Sequence, residues 1–215
     1  MGVVGGVRAP AVLGEYTYIM MGKSLELLGL AGFNVFLGMV LTVSFLNGNS
    51  DSSPSRLTET SVQAFVTEMD RVNLGTDPAM DSYSVTTWMM DHLDENSKFI
   101  INTNIAPANG EPREENVELG RMEYISHVLL EMKTMRDRES NVHIEYVKID
   151  ETGQTASVMY TNMEKGNIPY QNEGEEYMMP VSGTSYCEQQ LALKDKVIRV
   201  LGTTCTSNVS LAQTY

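Results

Sequence analysis

Residues 185–211 read SYCEQQLALKDKVIRVLGTTCTSNVSL, two segments rich in β-branched and apolar residues on either side of Lys194-Asp195-Lys196. Segments of this composition that are bounded by turn residues are typical of β-strands. The pattern predicts strands over 185–193 and 197–211, joined as an antiparallel hairpin. Gly202 lies inside the second strand, where a glycine favours a bend that curves the sheet.

The same hairpin predicts a disulfide between Cys187 and Cys205, the two cysteines of the chain. The turn places these residues opposite each other or one position out of register, and a β-bulge absorbs an offset of one residue. Directly opposed residues on antiparallel strands lie within the Cα separation that a disulfide spans. The alternative is a pair of buried, reduced thiols.

A second hairpin comes earlier in the chain. NVHIEYVKI, residues 141–149, leads through DETGQ into TASVMYTNM, residues 155–163. The stretch 164–184 between the two hairpins is predicted to be a long acidic loop. A shorter strand, KFIINTNI, occupies 98–105 and is followed by a predicted loop over 106–116.

Apolar residues three and four positions apart predict three helices. The first begins near Thr58 and ends at Asn73-Leu74-Gly75, the second covers about 78–93, and the third covers about 117–135. Helices that largely precede a run of antiparallel strands are typical of an α+β domain. We expect three helices packed on one face of a curved antiparallel sheet.

This element order resembles the nuclear transport factor 2-like superfamily, and within it the SnoaL-like branch. The resemblance covers about residues 58–211 and is carried by three passages and the two hairpins. It implies a cone whose curved sheet closes on three helices around a pocket. Members of the superfamily include dehydratases, isomerases and hydrolases, and also non-catalytic binding, assembly and immunity modules, so the fold alone does not choose a function. The passages are SVQAFVTEMDRV (61–72), TTWMMDHLDENSKFII (86–101) and ELGRMEYISHVLLEM (118–132).

The N-terminal part contains the apolar stretch 27–46, LLGLAGFNVFLGMVLTVSFL, which is interrupted only by Asn34. About 20 apolar residues suffice to cross a bilayer as a helix. Arg8 and Lys23 precede the stretch and no basic residue occurs after it until Arg56, so the positive-inside rule keeps the N-terminus in the cytoplasm and exports the rest. We expect a periplasmic or extracellular domain; the alternative for this stretch is a buried core helix.

This segment also determines the predicted domain organisation. An N-terminal extension precedes a signal peptide or uncleaved membrane anchor, and a Ser-rich linker connects that segment to the cone domain. The extension covers residues 1–23, the signal peptide or anchor 24–46, the linker 47–57 and the cone domain 58–215.

The composition excludes several classes of function. The formal net charge is −13, which repels nucleic acid, and we expect no nucleic-acid partner. His92, His127 and His143 are scattered and no CxxC occurs, so there is no zinc-site pattern. No phosphate-binding loop or dinucleotide fingerprint is present, and no cofactor or metal is expected.

Six residues are candidates for lining a pocket. Trp88 and His92 lie one turn apart on the second predicted helix, so both should point inward. His92 is either a pocket base or a buried histidine that holds a backbone carbonyl, and the second interpretation is favoured. His127 falls outside the apolar stripe of the third helix and is predicted to lie at the surface. The six candidates are Trp88, His92, His143, Glu145, Tyr160 and Glu188.

The strand candidates depend on how the first hairpin is paired. Pairing about Thr152-Gly153 puts His143 and Glu145 on one face, with Tyr160 opposite Glu145. Glu188 alternates with apolar residues on its own strand. A solvated sheet face also explains His143, Glu145 and Glu188, because polar residues alternate with apolar ones on any half-exposed strand.

The sequence supports three functional hypotheses, of which one is a purely structural assembly protein whose sheet dimerises. The first of the other two is a non-catalytic module of the cell envelope that binds a small apolar ligand or a partner protein. The second is a cofactor-free lyase or isomerase that uses His92, Glu145 or Glu188 as its acid–base group. A pocket closed to solvent favours assembly, whereas an open apolar pocket with a buried carboxylate of raised pKa favours catalysis.

Overall fold

The computed structural model describes residues 55–107, 110–172 and 174–212. The predicted N-terminal extension, the apolar segment 24–46 and most of the linker 47–57 therefore lie outside the described residues. Within the described part of the chain, no helix is both long enough and apolar enough to cross a membrane.

The described residues form three helices and a six-stranded sheet with the strand order β2-β1-β6-β5-β4-β3. β1 runs parallel to β6 and the other neighbouring strands are antiparallel, so the sheet is mixed. The predicted α+β class is confirmed, but the prediction of a purely antiparallel sheet is wrong. The elements are α1 Glu59–Leu74, α2 Ser82–His92, β1 Leu93–Ala106, β2 Arg113–Gly120, α3 Arg121–Thr134, β3 Arg136–Ile149, β4 Thr155–Asn172, β5 Glu175–Lys194 and β6 Val197–Leu211.

The first helix begins and ends where the sequence predicts. The hydroxyl of Thr58 accepts from the backbone N–H of Ser61, and the Ser61 hydroxyl accepts from the backbone N–H of Thr58, which completes a capping box. Gly75 ends α1 in the left-handed region, at φ 61°. A Cβ at Gly75 would lie 2.5 Å from Cγ of Met132 on α3, so this position favours glycine for its conformation and for its space.

The three helices pack on the inner face of the sheet, where the main apolar core lies. Phe99 of β1 and Tyr124 of α3 stack with ring centroids 3.8 Å apart. A second apolar cluster, which we call the distal cluster, lies farther along the strands, beyond most of the helical cover. Its members are Ile105, Met135, Ile168, Val181, Val209 and Leu211.

Two predicted loops are strands in the structure. Residues 113–116, at the end of the loop predicted over 106–116, belong to β2. This strand lies at the edge of the sheet, and its polar residues face solvent. The predicted loop 164–184 is wrong because β4 continues to Asn172 and β5 begins at Glu175. The polar composition of this stretch and its two prolines, Pro169 and Pro180, favour the prediction of a loop. Prolines are nevertheless tolerated at the edges of a sheet.

The β5–β6 hairpin has the predicted register. Lys194 pairs with Val197, and a bulge between Gln190 and Leu191 shifts the pairing so that Cys187 lies directly opposite Cys205. The extra residue of the bulge is Leu201, next to the predicted bend at Gly202. The two cysteines form a disulfide with a Cα–Cα separation of 4.2 Å, which confirms the predicted pair.

We predict that replacing both cysteines, as Cys187→Ala with Cys205→Ala, lowers the free energy of unfolding by about 3 kcal/mol, the value that chain entropy gives for a loop of this length. The bond joins residues 18 positions apart on the inner face of the sheet. Urea unfolding of the variant and the wild type measures the difference. Two free thiols per chain, titrated in the denatured, unreduced protein from its native compartment, would show that the bond does not form there.

Candidate functional site

Trp88 and His92 lie together, between α1 and the sheet. The indole of Trp88 packs 5.8 Å from the ring of Phe65 and 4.2 Å from the imidazole of His92, measured between ring centroids. Nδ1 of His92 lies 2.9 Å from the carbonyl oxygen of Ile198 on β6. A carbonyl oxygen only accepts hydrogen bonds, so Nδ1 donates and the histidine fastens the end of α2 to the sheet. This contact matches the favoured interpretation of His92 as a histidine that holds a backbone carbonyl.

His143, Glu145 and Glu188 lie on the outer, exposed face of the sheet. The predicted pairing of Glu145 with Tyr160 is wrong, because a bulge between Ile144 and Tyr146 shifts the register and pairs Tyr160 with Ile144. The bulge turns Glu145 outward, where it accepts a hydrogen bond from the hydroxyl of Thr161. Glu188 is also outside, accepting from Ser157 at 3.1 Å.

Tyr160 is the one of these six candidates that lines the interior cavity. It is 8% exposed and pairs across the sheet with Cys187. The cavity measures about 10 Å³, space for about one water molecule. The cone is therefore closed and almost filled. The cavity is lined by Val66, Met69, Asp70, Asn73, Val142, Tyr160, Asn162 and Gln189.

A cluster of buried charged groups surrounds Arg138 of β3. Its guanidinium donates to Glu164 of β4 and to Glu131 of α3, each at 3.2 Å. Nη1 donates to the carbonyl oxygens of Asn73 and Leu74 at 3.1 and 3.2 Å, which satisfies two carbonyl groups at the C-terminal end of α1. One side chain thus ties α1, α3 and β4 together.

Burial shifts the protonation of the carboxyl groups in this cluster. Burial first, and then the neighbouring carboxyl group of Glu164, raise the pKa of Asp70 from 3.8 to about 11, while the positive charge of Arg138 opposes the shift. Burial also holds the pKa of Glu164 well above its ordinary value, despite the attraction of Arg138. Asp70 is therefore a neutral acid at pH 7. Among the described residues, no group of three or more His, Cys, Asp or Glu side chains is placed to hold a metal ion.

The prediction that His127 lies at the surface is wrong, because the side chain is only 7% exposed. Met122, an apolar residue of the same helix, is by contrast 57% exposed. The helix instead turns His127 and Glu131 inward, where Nε2 of His127 lies 3.4 Å from Glu131 and Arg138 supplies a positive charge. Two features of the sequence could have indicated this buried arrangement. His127 and Glu131 are four residues apart on a helix, and Arg138 lies in a strand whose other residues largely alternate between polar and apolar.

An open groove of about 520 Å³ lies on the outer face of the sheet. It crosses β3, β4, β5 and β6 and includes Met163, Thr184 and Asn208, and the exposed ion pair of Glu139 and Lys165 lies on the β3–β4 side of its lining. Beside and across it runs a patch without charged side chains, which we call the neutral face. The neutral face consists of Ile100, Asn102, Asn104, Met163, Ser182, Thr184, Tyr186, Thr204, Thr206, Asn208 and Ser210.

No protein-family model matches the sequence, and no curated protein matches it either. Solved structures do match the fold. A domain of unknown function with a cystatin-like fold from Nostoc punctiforme is 14% identical, with a TM-score of 0.44 over 69% of this chain and 78% of that one.

Two further structures extend this comparison. An NTF-2-like protein of unknown function from Silicibacter pomeroyi is 12% identical, with a TM-score of 0.37 over 69% of this chain and 98% of that one. A hexachlorocyclohexane dehydrochlorinase, LinA type 2, is 8% identical, with a TM-score of 0.42 over 73% of this chain and 92% of that one. The likeness to these three structures is one of fold alone.

Proposed function

We propose that this chain is a non-catalytic assembly module, held on the far side of a membrane by its N-terminal segment, that binds a second copy of itself through the neutral face. The observation that carries the proposal is the contrast between a filled interior and an open outer groove. The cavity inside the cone holds about 10 Å³, whereas the groove outside holds about 520 Å³.

The filled interior argues against a small-molecule pocket. Ligand pockets typically enclose several hundred Å³ and surround most of the ligand. Here Tyr124, Phe99 and Met89 are almost completely buried and occupy the volume between helices and sheet. Asp70 has the raised pKa expected of an acid catalyst, but the cavity that it lines holds only about 10 Å³, which is too little for a substrate.

The neutral face has the composition of an interface. In a chain with a net charge of −13, two copies repel each other least where both surfaces lack charge. Interface centres are depleted of charged residues and enriched in tyrosine and methionine. Tyr186 and Met163 on this face are 54% and 53% exposed, so both have much apolar surface left to bury.

The described chain begins at a position that suits a tether. The backbone N–H of Leu57 donates to the carbonyl of Gly153 at 2.7 Å, and Gln154 donates to the carbonyl of Ser55 at 3.2 Å. The linker thus meets the domain at the turn between β3 and β4, which we call the turn end. The disulfide also supports an oxidising compartment outside the cytoplasm.

We predict that Thr206→Glu weakens self-association by more than about tenfold, because it places two like charges at the centre of a face without charges. Thr206 is exposed on β6, so the change should leave the fold intact. Thr87→Glu, an exposed position on α2, is the matched control and should not affect association. Sedimentation velocity of the full chain in mild detergent measures both. Equal association of the two variants, or a wild type that stays monomeric, would contradict the proposal.

A second prediction concerns topology. Fusions of alkaline phosphatase after Arg56 should be active, because the segment 27–46 carries the downstream part of the chain across the membrane. Fusions of a reporter that is active only in the cytoplasm should be inactive at the same position. Deletion of residues 24–46 should reverse both results. An active cytoplasmic reporter on the full-length chain would show that export does not occur.

A further inference from the structure

β4 and β5 continue past the rest of the sheet as a two-stranded ribbon. The pairing of β3 with β4 ends at Arg136 and Asn167, and the pairing of β5 with β6 ends at Val181 and Leu211. Beyond these points the described strands β4 and β5 have only each other as ladder partners, from Ile168 with Met179 to Asn172 with Glu175, although the backbone N–H of Ala212 still donates to the carbonyl of Pro180 at 3.0 Å. We call residues 168–172 and 174–180 the ribbon. It lies at the end of β4 opposite the turn end, and because β4 has 18 residues that distance is about 60 Å along the strand.

The ribbon exposes apolar side chains that a two-stranded hairpin does not bury by itself. On its inner face, Ile168 and Met179 continue the distal cluster, and the rings of Tyr170 and Tyr177 stack with centroids 5.6 Å apart. Tyr177 nevertheless remains 39% exposed, and Met178 on the opposite face is 37% exposed. Aromatic and methionine side chains presented in this way are typical of binding surfaces.

The edges of the ribbon are poor templates for another β-strand. Pro169 lies in β4 and Pro180 in β5, at the places where each strand loses its outer neighbour. Proline has no backbone N–H to donate to a ladder, and prolines on edge strands oppose edge-to-edge pairing. Recognition at the ribbon therefore involves its side chains rather than its backbone.

The charge of the ribbon restricts its partner. No lysine, arginine or histidine occurs between Gly166 and Leu193, whereas Glu175 and Glu176 are exposed at the tip. The carboxylate of Glu175 accepts from the hydroxyl of Tyr177 at 2.8 Å, so the acidic and aromatic groups form one surface. Nucleic acid, anionic lipid and a second acidic ribbon are all repelled by it.

We propose that the ribbon docks a basic, partly apolar segment of a partner protein. Arginine is the side chain that fits best, because its guanidinium stacks on the face of tyrosine and pairs with carboxylates. Leucine or similar side chains of the same segment cover the exposed part of Tyr177. This inference goes beyond the self-association proposed for the neutral face and does not depend on it, because the two surfaces share no residue.

The test uses the full chain in mild detergent and a short fluorescent peptide of arginine and leucine, with glutamate replacing arginine in the control peptide. Fluorescence anisotropy should show binding of the arginine peptide only. Glu175→Gln with Glu176→Gln should weaken it by about tenfold or more, and Tyr177→Ser should weaken it similarly. The matched controls, Glu111→Gln with Glu114→Gln and Tyr146→Ser, remove the same charge and the same exposed ring elsewhere.

The outcomes separate this proposal from simple attraction to an acidic protein. Binding that falls with the ribbon variants and persists in the controls supports the ribbon as the docking site. Equal losses in the ribbon and control variants would show general electrostatic attraction and overturn the proposal. Absence of binding by the arginine peptide would overturn it as well. The Thr206→Glu variant should still bind the arginine peptide. A failure of self-association can therefore be distinguished from a failure of peptide binding at the ribbon.

Discussion

Arg138→Met is expected to lower the free energy of unfolding by about 3–5 kcal/mol, the range measured when one member of a buried ion pair is removed. Methionine keeps much of the apolar stem but leaves Glu131 and Glu164 in the interior without the guanidinium that faces both of them. It also leaves the carbonyl oxygens of Asn73 and Leu74 without their donor. Urea or thermal unfolding of the variant and the wild type gives the difference directly.

Two variants show whether this loss comes from uncompensated charge. Arg136→Met removes an exposed arginine two residues away and should cost less than about 1 kcal/mol. Combining Arg138→Met with Glu131→Leu and Glu164→Leu replaces the cluster by apolar groups, which should recover much of the stability. A triple variant as unstable as Arg138→Met alone would mean that the cluster contributes through packing and helix termination instead of charge.

Asp70→Asn is expected to stabilise the protein at neutral pH. In the unfolded chain an aspartate ionises with a pKa of about 3.9, whereas the pKa of the buried Asp70 is raised to about 11. The contribution of Asp70 to stability is therefore fully present below pH 4 and is lost progressively as the pH rises toward 11. Each pH unit in this window costs roughly 1.4 kcal/mol. The asparagine does not ionise, and its amide can donate to the oxygens of Asn73 and Gln189, which line the same cavity.

The measurement is the difference in unfolding free energy between Asp70→Asn and wild type from pH 4 to pH 8. The difference should be small near pH 4 and grow with pH in favour of the variant. Asp81→Asn is the control, because hydrogen bonds from Ser84 lower the pKa of Asp81, so its contribution is lost only below about pH 4 and its difference should stay nearly constant from pH 4 to pH 8. A difference for Asp70→Asn that does not change with pH would show that Asp70 is ionised in the folded protein.

Local signals predicted much of the fold. The first helix could be placed closely, because hydroxyl residues that can cap a helix occur at and just after Thr58, and Gly75 is a strong stop signal after a regular apolar stripe. The β5–β6 hairpin could be placed with its disulfide, because a short turn fixes the register of the strands that it joins. The sequence resemblance supplied the arrangement of helices on one face of a curved sheet.

The interior could not be predicted in the same way, because its determining residues break the rule that polar side chains face solvent. His127, Glu131 and Arg138 are buried together, because Arg138 donates to Glu131 and Nε2 of His127 lies 3.4 Å from the same carboxylate, and these contacts join an α-helix to a strand. The bulge beside Glu145 has no signature of its own, yet it moves Glu145 and His143 from the expected pocket to the outer face. The parallel pairing of β1 with β6 depends on contacts about one hundred residues apart.

The central claim is that this domain acts through its outer surface and carries no small molecule in its interior. Native mass spectrometry of the full chain, purified without denaturation and released from mild detergent, tests that claim most directly. We predict a dimer, with twice the chain mass of 23.9 kDa less any cleaved N-terminal segment, and without a retained small molecule. A monomer that retains one small molecule per chain would contradict it and would instead favour a lyase, an isomerase or a ligand-binding cone.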